Sequence, residues 1–277
     1  HVFAHERRDS LTLSPVADLP ALAHSGFIGG VNYYPAATPW RAFWAAFDED
    51  IIAADLDLIV GLGARALRVF LPRDEFLHVD TAEKRFLQLD TLARLADERG
   101  LALVPTLFDL KGTYATATWA SDGLYLRAVL EALADHSNIL FIDMKNEPDL
   151  DYAVHGRGQV QAWLQTMLRL AGHQAPQFAY TVGWSSAEHA LDLHDHMGLI
   201  TYHDYAPLDG TAARLAAVRA SAGDKPVMIT EIGETSWGGI PVIASSSPQA
   251  QADSLSTRLQ ALAAADGVFV WTLHDFE

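Results

Sequence analysis

Two glutamates are the residues of this sequence best placed to carry out chemistry, because each lies at or close to the end of a short apolar segment. Glu147 comes three residues after the run Ile139–Met144, and Glu231 comes directly after Val227–Thr230. Other polar and aromatic side chains lie at the corresponding ends of apolar segments: Asn32, Tyr33, Tyr34, Arg68, Phe108, Asp109, Asn146, Trp184, His203, Asp204, Tyr205, Trp271, His274 and Asp275. Carboxyl groups together with amides, phenols and indoles are typical of a carbohydrate site, because indoles stack on sugar rings and polar groups hydrogen-bond to hydroxyls.

A pair of carboxyl groups can hydrolyse a glycosidic bond when one is protonated and the other is ionised. We predict Glu147 as the general acid/base and Glu231 as the nucleophile. Their carboxyls should then lie roughly 5–5.5 Å apart in a retaining enzyme, against about 6.5–9.5 Å in an inverting one. The sequence also predicts a raised pKa for Glu147, from burial and from the negative charge opposite, and contacts from Arg68 and the Tyr205 hydroxyl that keep Glu231 ionised.

Eight apolar segments alternate with seven amphipathic ones, and this order determines where the polar residues can meet. The apolar segments are Phe27–Val31, Ala66–Phe70, Leu101–Phe108, Ile139–Met144, Phe178–Val182, Leu199–Tyr202, Val227–Thr230 and Val268–Thr272. The amphipathic segments are Glu49–Leu62, Leu89–Arg99, Leu124–Ala134, Gln159–Ala171, Ala187–His194, Ala212–Ala220 and Gln249–Ala264. Continuous apolar strands imply burial on both faces, and their alternation with helices predicts an α/β fold, a (β/α)8 TIM barrel whose strand ends form the site.

The predicted domain organisation is one catalytic barrel over residues 27–277, preceded by an N-terminal extension over residues 1–26. The sequence stops a few residues after the eighth apolar segment, so the barrel is predicted to lack its last helix. We expect the extension, which has a short apolar stretch at Leu19–Ala23, to cover part of that gap.

The composition favours a globular protein that acts on a neutral ligand. The 277 residues include 19 basic ones and carry a formal net charge of −16, which argues against nucleic acid as a partner. There is no cysteine, and no apolar run is long enough to span a membrane. We expect a monomer that binds an oligosaccharide or polysaccharide without a cofactor, and either a secreted or a cytoplasmic location, with secretion favoured.

The motifs at the segment ends resemble those of the clan A glycoside hydrolases, family 5 in particular. The resemblance runs from Gly29 to Phe276 and rests on motifs that occur in the same order as in the family: Arg68, Asn146-Glu147-Pro148, His203-Asp204-Tyr205, Thr230-Glu231-Ile232-Gly233 and Trp271. It implies a TIM barrel and hydrolysis of a glycosidic bond.

The resemblance also implies substrate-binding roles for four further residues. The amide of Asn146 would bind the 2-hydroxyl of the sugar at the cleavage site, His203 and Tyr205 would line that subsite, and Trp271 would form its floor. The chain departs from the family near the end of the third strand, where many members have a histidine and this sequence has Thr106 and Asp109.

Other aromatic residues and histidines have alternative interpretations. Trp163 and Trp44 have apolar neighbours and are expected in the core. Four others are candidate sugar contacts: Tyr34, Trp40, Trp119 and Trp237. His194, His196 and His203 could suggest a zinc site, which needs three converging ligands. The first two are expected near the end of a helix on the side away from the bowl, so no metal is predicted.

The predicted activity is that of a retaining β-glycoside hydrolase acting through a glycosyl-enzyme, with β-mannan or β-mannosides as the favoured substrate. Asn32-Tyr33-Tyr34 and Arg68-Val69-Phe70 are similar to family members that act on β-mannosides. A β-1,4-glucanase of the same fold is one alternative, and a non-catalytic glycan-binding barrel is another. Cleavage inside a chain or at its end, and hydrolysis or transglycosylation, remain open from the sequence.

Overall fold

A computed structural model describes residues 26–235 and 247–276 and shows a closed eight-stranded barrel. Each strand pairs in parallel with the next, and the last pairs with the first, so the prediction of a (β/α)8 barrel is confirmed. The strands are β1 Ile28–Asn32, β2 Ala66–Leu71, β3 Ala102–Leu107, β4 Ile142–Asn146, β5 Tyr180–Trp184, β6 Ile200–His203, β7 Val227–Ile232 and β8 Gly267–Val270.

The α-helices of the described chain surround the barrel or lie in its loops. They are α1 Arg41–Ala45, α2 Glu49–Gly61, α3 Arg73–Leu77, α4 Ala82–Asp97, α5 Trp119–Leu133, α6 Tyr152–His155, α7 Arg157–Gln174, α8 Thr211–Ser221 and α9 Pro248–Ala261. Local sequence explains several starts: the Asp48 carboxylate accepts from the backbone of α2, and the Ser247 hydroxyl accepts from the backbone of α9, which begins at a proline. No helix within the described ranges is long and apolar enough to cross a membrane.

The amphipathic segment Ala187–His194 is not the helix that its periodicity predicted. It forms turns, followed by a 3-10 turn at His194–His196. Leu193 has a φ of 59°, and a left-handed residue interrupts helical hydrogen bonding. No helix follows β8 in the part of the chain described, which reaches Phe276. The prediction that the N-terminal extension covers part of this gap concerns residues that lie outside those described.

The barrel interior is apolar at the bottom and polar at the top. Small and branched side chains fill the lower part together with Phe269, whose ring lies so close to Gly30 that a Cβ there would be 2.4 Å from it. Above this layer the buried residues of the strands include the polar side chains of Arg68, Thr106 and Asp143. Trp44 and Trp163 are fully buried between helices and barrel, which confirms their assignment to the core.

Left-handed backbone conformations cluster at the upper rim. Five non-glycine residues of the described chain have a positive φ, and four of them follow β1, β3 or β4: Trp40, Phe108, Leu110 and Glu147. Such conformations cost of order 1–3 kcal/mol each and persist where the surrounding structure imposes them, often at functional sites. The rim above the polar layer is therefore the candidate position of a functional site.

Candidate active site

Glu147 and Glu231 face each other at the barrel mouth. Glu147 directly follows β4 with a φ of 47°, and its backbone N–H donates to the Gly183 carbonyl at 2.7 Å, so a hydrogen bond to the neighbouring strand maintains the left-handed turn. Glu231 lies within β7, where the pairing register shifts on both sides of the strand. One carboxylate oxygen of each residue lies within 4.8 Å of the other. The two carboxyl groups that the sequence singled out are thus brought together.

Arg68 binds four side chains at once from the centre of the mouth. Its guanidinium is fully buried and donates to Glu231 Oε1 at 2.6 Å, Asn32 Oδ1 at 2.9 Å and Asn146 Oδ1 at 2.8 Å. It also forms an ion pair with Asp143 at 2.8 Å. The predicted contact between Arg68 and Glu231 is present. Because the oxygen of the Asn146 amide accepts from Arg68, the amide nitrogen can donate to a ligand.

Asp143 is a site residue that the sequence analysis did not identify. Its Oδ2 accepts from Nε and Nη2 of Arg68 and from the Thr106 hydroxyl, and its Oδ1 accepts from the backbone N–H of Gly183 at 2.9 Å. A Cβ on Gly183 would lie 2.7 Å from Asp143 Oδ2, so this glycine makes room for the ion pair. The available signal was an aspartate inside the otherwise apolar segment Ile139–Met144, since a buried carboxylate requires a charged or hydrogen-bonding partner.

His203 lies between the two glutamates. Its Nδ1 is 2.9 Å from Oε1 of Glu147, and its Nε2 is 3.5 Å from Oε1 of Glu231. The imidazole is buried, and its Nε2 makes no hydrogen bond with the residues described. His203 thus contacts one glutamate directly and leaves its second nitrogen near the other.

The raised pKa predicted for Glu147 is wrong for the site as the structure presents it. Burial by itself raises the pKa of Glu147, but the hydrogen bond and charge of His203 and the charges of Arg68 and Lys145 together lower it below the ordinary value. The prediction invoked the negative charge of Glu231, which is instead compensated by the Arg68 ion pair.

Tyr205 donates its hydroxyl proton to Oε2 of Glu231 at 2.9 Å, as the sequence analysis expected. Burial and the adjacent Glu231 raise the pKa of this phenol, so it remains a donor across the neutral range. With Arg68 on Oε1 and Tyr205 on Oε2, both oxygens of Glu231 have a hydrogen-bond donor. The carboxylate is therefore held in a fixed orientation.

An aromatic patch, defined by Trp40, Phe70, Trp271 and Phe276, borders the carboxylates on the β1, β2 and β8 side. The Trp271 ring lies 5.6 Å from Trp40 and 5.8 Å from Phe70, and Trp40 is 47% exposed. The sugar-stacking role predicted for Tyr34 is corrected: its ring is 2% exposed, stacks on Phe70 and packs against Phe276, so it supports the patch. The candidate Trp237 lies outside the described residues.

Several residues from the segment ends have structural contacts instead. Asp204 forms ion pairs with Arg214 at 2.7 Å and Arg258 at 3.3 Å, and Trp184 is buried. The indole of Trp119 donates to the Tyr114 carbonyl. Tyr33 and His274 connect the rim to α2. Asp55 of this helix accepts a hydrogen bond from the Tyr33 hydroxyl and contacts an imidazole nitrogen of His274.

A cation would find one group of three close ligand atoms in the described ranges, provided by Glu147, His203 and Glu231. Arg68 donates to Glu231 at 2.6 Å, and a guanidinium at that distance repels a second cation. The three residues are the same ones that lie together at the barrel mouth.

Comparison with known proteins adds information at the level of fold. No protein-family model and no curated protein matches the sequence. Among solved structures, the GH5_18 protein from Streptomyces cattleya in complex with GlcNAc is 23% identical, with a TM-score of 0.72 over 94% of this chain and 72% of that one. A variant of the Streptomyces protein is in complex with Manβ1-4GlcNAc, again with a TM-score of 0.72.

Two further structures extend the range of similar proteins. The exo-β-1,4-mannosidase from Opitutaceae bacterium strain TAV5 is 20% identical, with a TM-score of 0.74 over 95% of this chain and 55% of the mannosidase. The GH2 β-galacturonidase from Eisenbergiella tayi is 19% identical, with a TM-score of 0.66 over 89% of this chain and 43% of its own. The resemblance inferred from the sequence is thus confirmed for the fold: the chain shares the (β/α)8 barrel of these glycoside hydrolases.

Proposed function

We propose that this protein is a retaining β-glycoside hydrolase, with Glu231 as nucleophile and Glu147 as general acid/base. The observation that supports the proposal most is the approach of the two carboxylates, whose nearest oxygens lie within 4.8 Å. That upper limit is compatible with the roughly 5–5.5 Å between the carboxyl groups of retaining enzymes and is shorter than the roughly 6.5–9.5 Å of inverting ones, which supports retention.

The first step forms a bond between Glu231 and the anomeric carbon while the glycosidic C–O bond breaks. The nucleophile must present one oxygen to that carbon, and Arg68 and Tyr205 set its orientation from the two sides of the carboxylate. Glu231 loses its negative charge when the ester forms and regains it when the ester is hydrolysed. Arg68 and Tyr205 therefore stabilise the ionised carboxylate before the first step and after the second.

Glu147 transfers the proton in both steps. Its carboxyl protonates the departing oxygen, and the resulting carboxylate then takes a proton from the water that attacks the glycosyl-enzyme. The Nδ1 of His203 at 2.9 Å fixes the position of the carboxyl. Since the pKa of Glu147 is lowered in the free site, we expect the protonated, active form to be favoured towards acidic pH.

The sugar would lie on the aromatic patch with its 2-hydroxyl near Asn146. The free N–H groups of that amide can donate to the hydroxyl because Arg68 holds the amide oxygen. The exposed Trp40 and the half-buried Trp271 offer flat apolar surface to a pyranose ring. We favour β-mannosides as substrates, supported by the resemblance at the first two strands and by the mannosidase and the Manβ1-4GlcNAc complex among the similar structures.

Two alternatives share most of these residues. A β-1,4-glucanase would use the same carboxylates and differ in loop contacts to the sugar. A non-catalytic glycan-binding barrel would use the aromatic patch without turnover, but such a protein has no need of two opposed carboxylates with a buried arginine and a phenol on one of them.

The decisive experiment measures reducing sugar released from β-mannan, glucomannan, mixed-linkage β-glucan, carboxymethyl-cellulose and xylan, together with cleavage of aryl β-glycosides. Glu231→Gln tests the nucleophile. Glu234→Gln is the matched control, because this glutamate lies three residues further along, just past the end of β7, and accepts a hydrogen bond from the Ser254 hydroxyl.

We expect activity on mannan-type substrates that Glu231→Gln abolishes and Glu234→Gln preserves. Proton NMR of the first product should show retention of the β configuration. Activity on glucan alone would favour the glucanase, and an inverted product would contradict the proposed mechanism. Glycan binding that is unchanged in Glu231→Gln, without cleavage of any polymer or aryl glycoside, would establish the binding-only alternative.

A further inference from the structure

Asp109 is a carboxylate at the barrel mouth that the proposed mechanism does not use. It lies two residues after β3, whose Thr106 pairs with Asp143 of β4, so it is at the carboxyl-terminal rim of the barrel. The charges of Lys145, Arg68 and Glu231 all act on Asp109. It is therefore a third acidic group at the rim, close enough to Arg68 and Glu231 for their charges to act on it.

The Asp109 carboxylate is partly buried without a side-chain donor. The backbone N–H of Leu110 donates to it, and no side chain within residues 26–235 or 247–276 does so. Burial accordingly raises the pKa of Asp109. A carboxylate with unfilled acceptor positions is costly in free energy, and ligand hydroxyl groups would supply the donors that are missing.

The backbone on both sides of Asp109 is in the left-handed region. Phe108 has a φ of 51° and Leu110 a φ of 53°, each at a cost of order 1–3 kcal/mol for a residue with a side chain. Phe108 is fully buried between Tyr125 and Trp163, with both rings edge-on to it, so packing determines the direction of this loop. The fold thus maintains an unfavourable placement of Asp109.

Asp109 also lines a pocket of about 210 Å³ between the loops that follow β1, β2 and β3. Two of the cations that line the pocket already have carboxylate partners, because Arg73 and Lys111 each lie 2.7 Å from the buried Asp122 and Arg73 also pairs with Asp74 at 3.0 Å. A third, Arg41, is exposed on α1. Asp109 thus lines this pocket and also lies within electrostatic range of Arg68 and Glu231 at the mouth.

We infer that Asp109 accepts hydrogen bonds from hydroxyl groups of the glycosyl unit beside the cleaved bond and thereby selects an uncharged sugar over a uronic acid. This inference rests on the proposed hydrolase function. Hydroxyl groups of a neutral sugar can donate to the carboxylate. The carboxylate of a uronic acid placed there would meet the carboxylates of Asp109 and Glu231, and the guanidinium that could offset them is already shared by Asp143 and Glu231.

The test compares Asp109→Asn with the wild type on 4-nitrophenyl β-glycosides of mannose, glucose, galactose, N-acetylglucosamine, glucuronic acid and galacturonic acid. Asp74→Asn is the matched control, since this aspartate lines the same pocket but is largely exposed and paired with Arg73. Arg41→Met tests whether a cation of the pocket holds an acidic sugar instead. Labelling of Glu231 by 2-deoxy-2-fluoro-glycosides, followed by mass spectrometry, reports the hydrolase function separately.

We expect the wild type to cleave a neutral glycoside and to discriminate against both uronides. Asp109→Asn should lower kcat/KM on the neutral substrate roughly 10- to 100-fold, as for the loss of a charged hydrogen bond. The ratio of kcat/KM between the neutral glycoside and the uronides should also become smaller. The control and Arg41→Met should stay within about threefold of the wild type. The melting temperature of Asp109→Asn should be equal to that of the wild type or higher. A partly buried carboxylate that serves binding destabilises the fold, and the substitution removes its charge.

Three results would overturn the inference. One is faster cleavage of a uronide than of any neutral glycoside by the wild type, lost in Arg41→Met. Another is an active, labelled wild type whose Asp109→Asn form has the same kcat/KM and selectivity, which would leave the hydrolase function standing. The third is a wild type that neither cleaves nor is labelled by any of these compounds, which would remove the proposed function as well.

Discussion

Arg68 and Asp143 form an ion pair of 2.8 Å in which both side chains are fully buried. The pair joins β2 to β4 across the barrel interior, and the same guanidinium reaches Glu231 on β7. Charges removed from water need full compensation, which the Thr106 hydroxyl and the Gly183 backbone help to provide on the aspartate side. The position of Glu231 therefore depends on a carboxylate that does not itself face the ligand.

Removal of the Asp143 charge should destabilise the fold and disorder the site. Asp143→Ala leaves a buried guanidinium without its main counter-ion, and we expect the free energy of unfolding to fall by about 3–5 kcal/mol. Urea denaturation measures it. Glu98→Gln, which breaks an exposed ion pair with Arg94, should cost less than about 1 kcal/mol. Equal losses in the two variants would show that the buried pair contributes nothing special.

Gly183 provides the space for that ion pair, which gives a second prediction. In Gly183→Ala the new methyl would lie 2.7 Å from Asp143 Oδ2 and 3.2 Å from Arg68 Nη2, and the backbone donor to Asp143 would have to shift with it. We expect a loss of about 1–3 kcal/mol in unfolding free energy, together with at least a tenfold loss of kcat.

Gly172→Ala is the matched control, since this glycine lies in α7 with open space around its Cβ position. An alanine in a helix is favoured over glycine, so this variant should be more stable by roughly 0.5–1 kcal/mol and fully active. Full activity in Gly183→Ala would show that the pair can move without consequence for the site.

Most of the architecture could be predicted from the sequence because its signals are local. Eight buried parallel strands require near-continuous apolar segments, and each was located within about three residues at either end. The two glutamates could be paired because the ends of parallel strands meet at one rim, so order along the chain determines which side chains converge. The contacts of Arg68 and Tyr205 with Glu231 followed from the same reasoning.

The features that were missed depend on contacts between distant strands. The second carboxylate partner of Arg68, Asp143, could not be identified without the register of β2, β3 and β4. The direction of the pKa shift of Glu147 depends on the distance to His203, which no spacing encodes. The burial of Tyr34 follows from Phe276, 242 residues away in the sequence.

Trp40 provides a third prediction, because it is the exposed member of the aromatic patch. Its indole lies 5.6 Å from Trp271 and is 47% exposed. Trp40→Ala removes stacking surface worth about 0.5–1.5 kcal/mol, so KM should rise roughly 2- to 10-fold with little change in kcat. Phe27→Ala is the control, since Phe27 is 44% exposed and precedes β1 at the opposite end of the barrel. An unchanged KM in Trp40→Ala would exclude the patch from binding.

The proton-transfer role of Glu147 gives a fourth prediction. Glu147→Ala should slow cleavage of substrates with poor leaving groups by several orders of magnitude and affect activated aryl glycosides far less, because only the former need a proton. Rates for a series of aryl glycosides with different phenol pKa values measure the dependence. The same loss across the whole series would contradict the assignment of Glu147 as the acid.

The pH profile provides the last prediction, through the contact between His203 and Glu147. Burial raises the pKa of Glu147, whereas the hydrogen bond and charge of His203, with Arg68 and Lys145, outweigh burial and lower it. A general acid must be protonated, so kcat/KM falls as the pH rises through that pKa. His203→Ala removes the principal lowering contribution and leaves burial in place, so the alkaline limb should move to higher pH while the maximum rate falls. Lys145→Met should shift it in the same direction by less, and His189→Ala, which contacts Asp192 instead, should not shift it. A limb that moves to lower pH in His203→Ala would contradict this account of the acid.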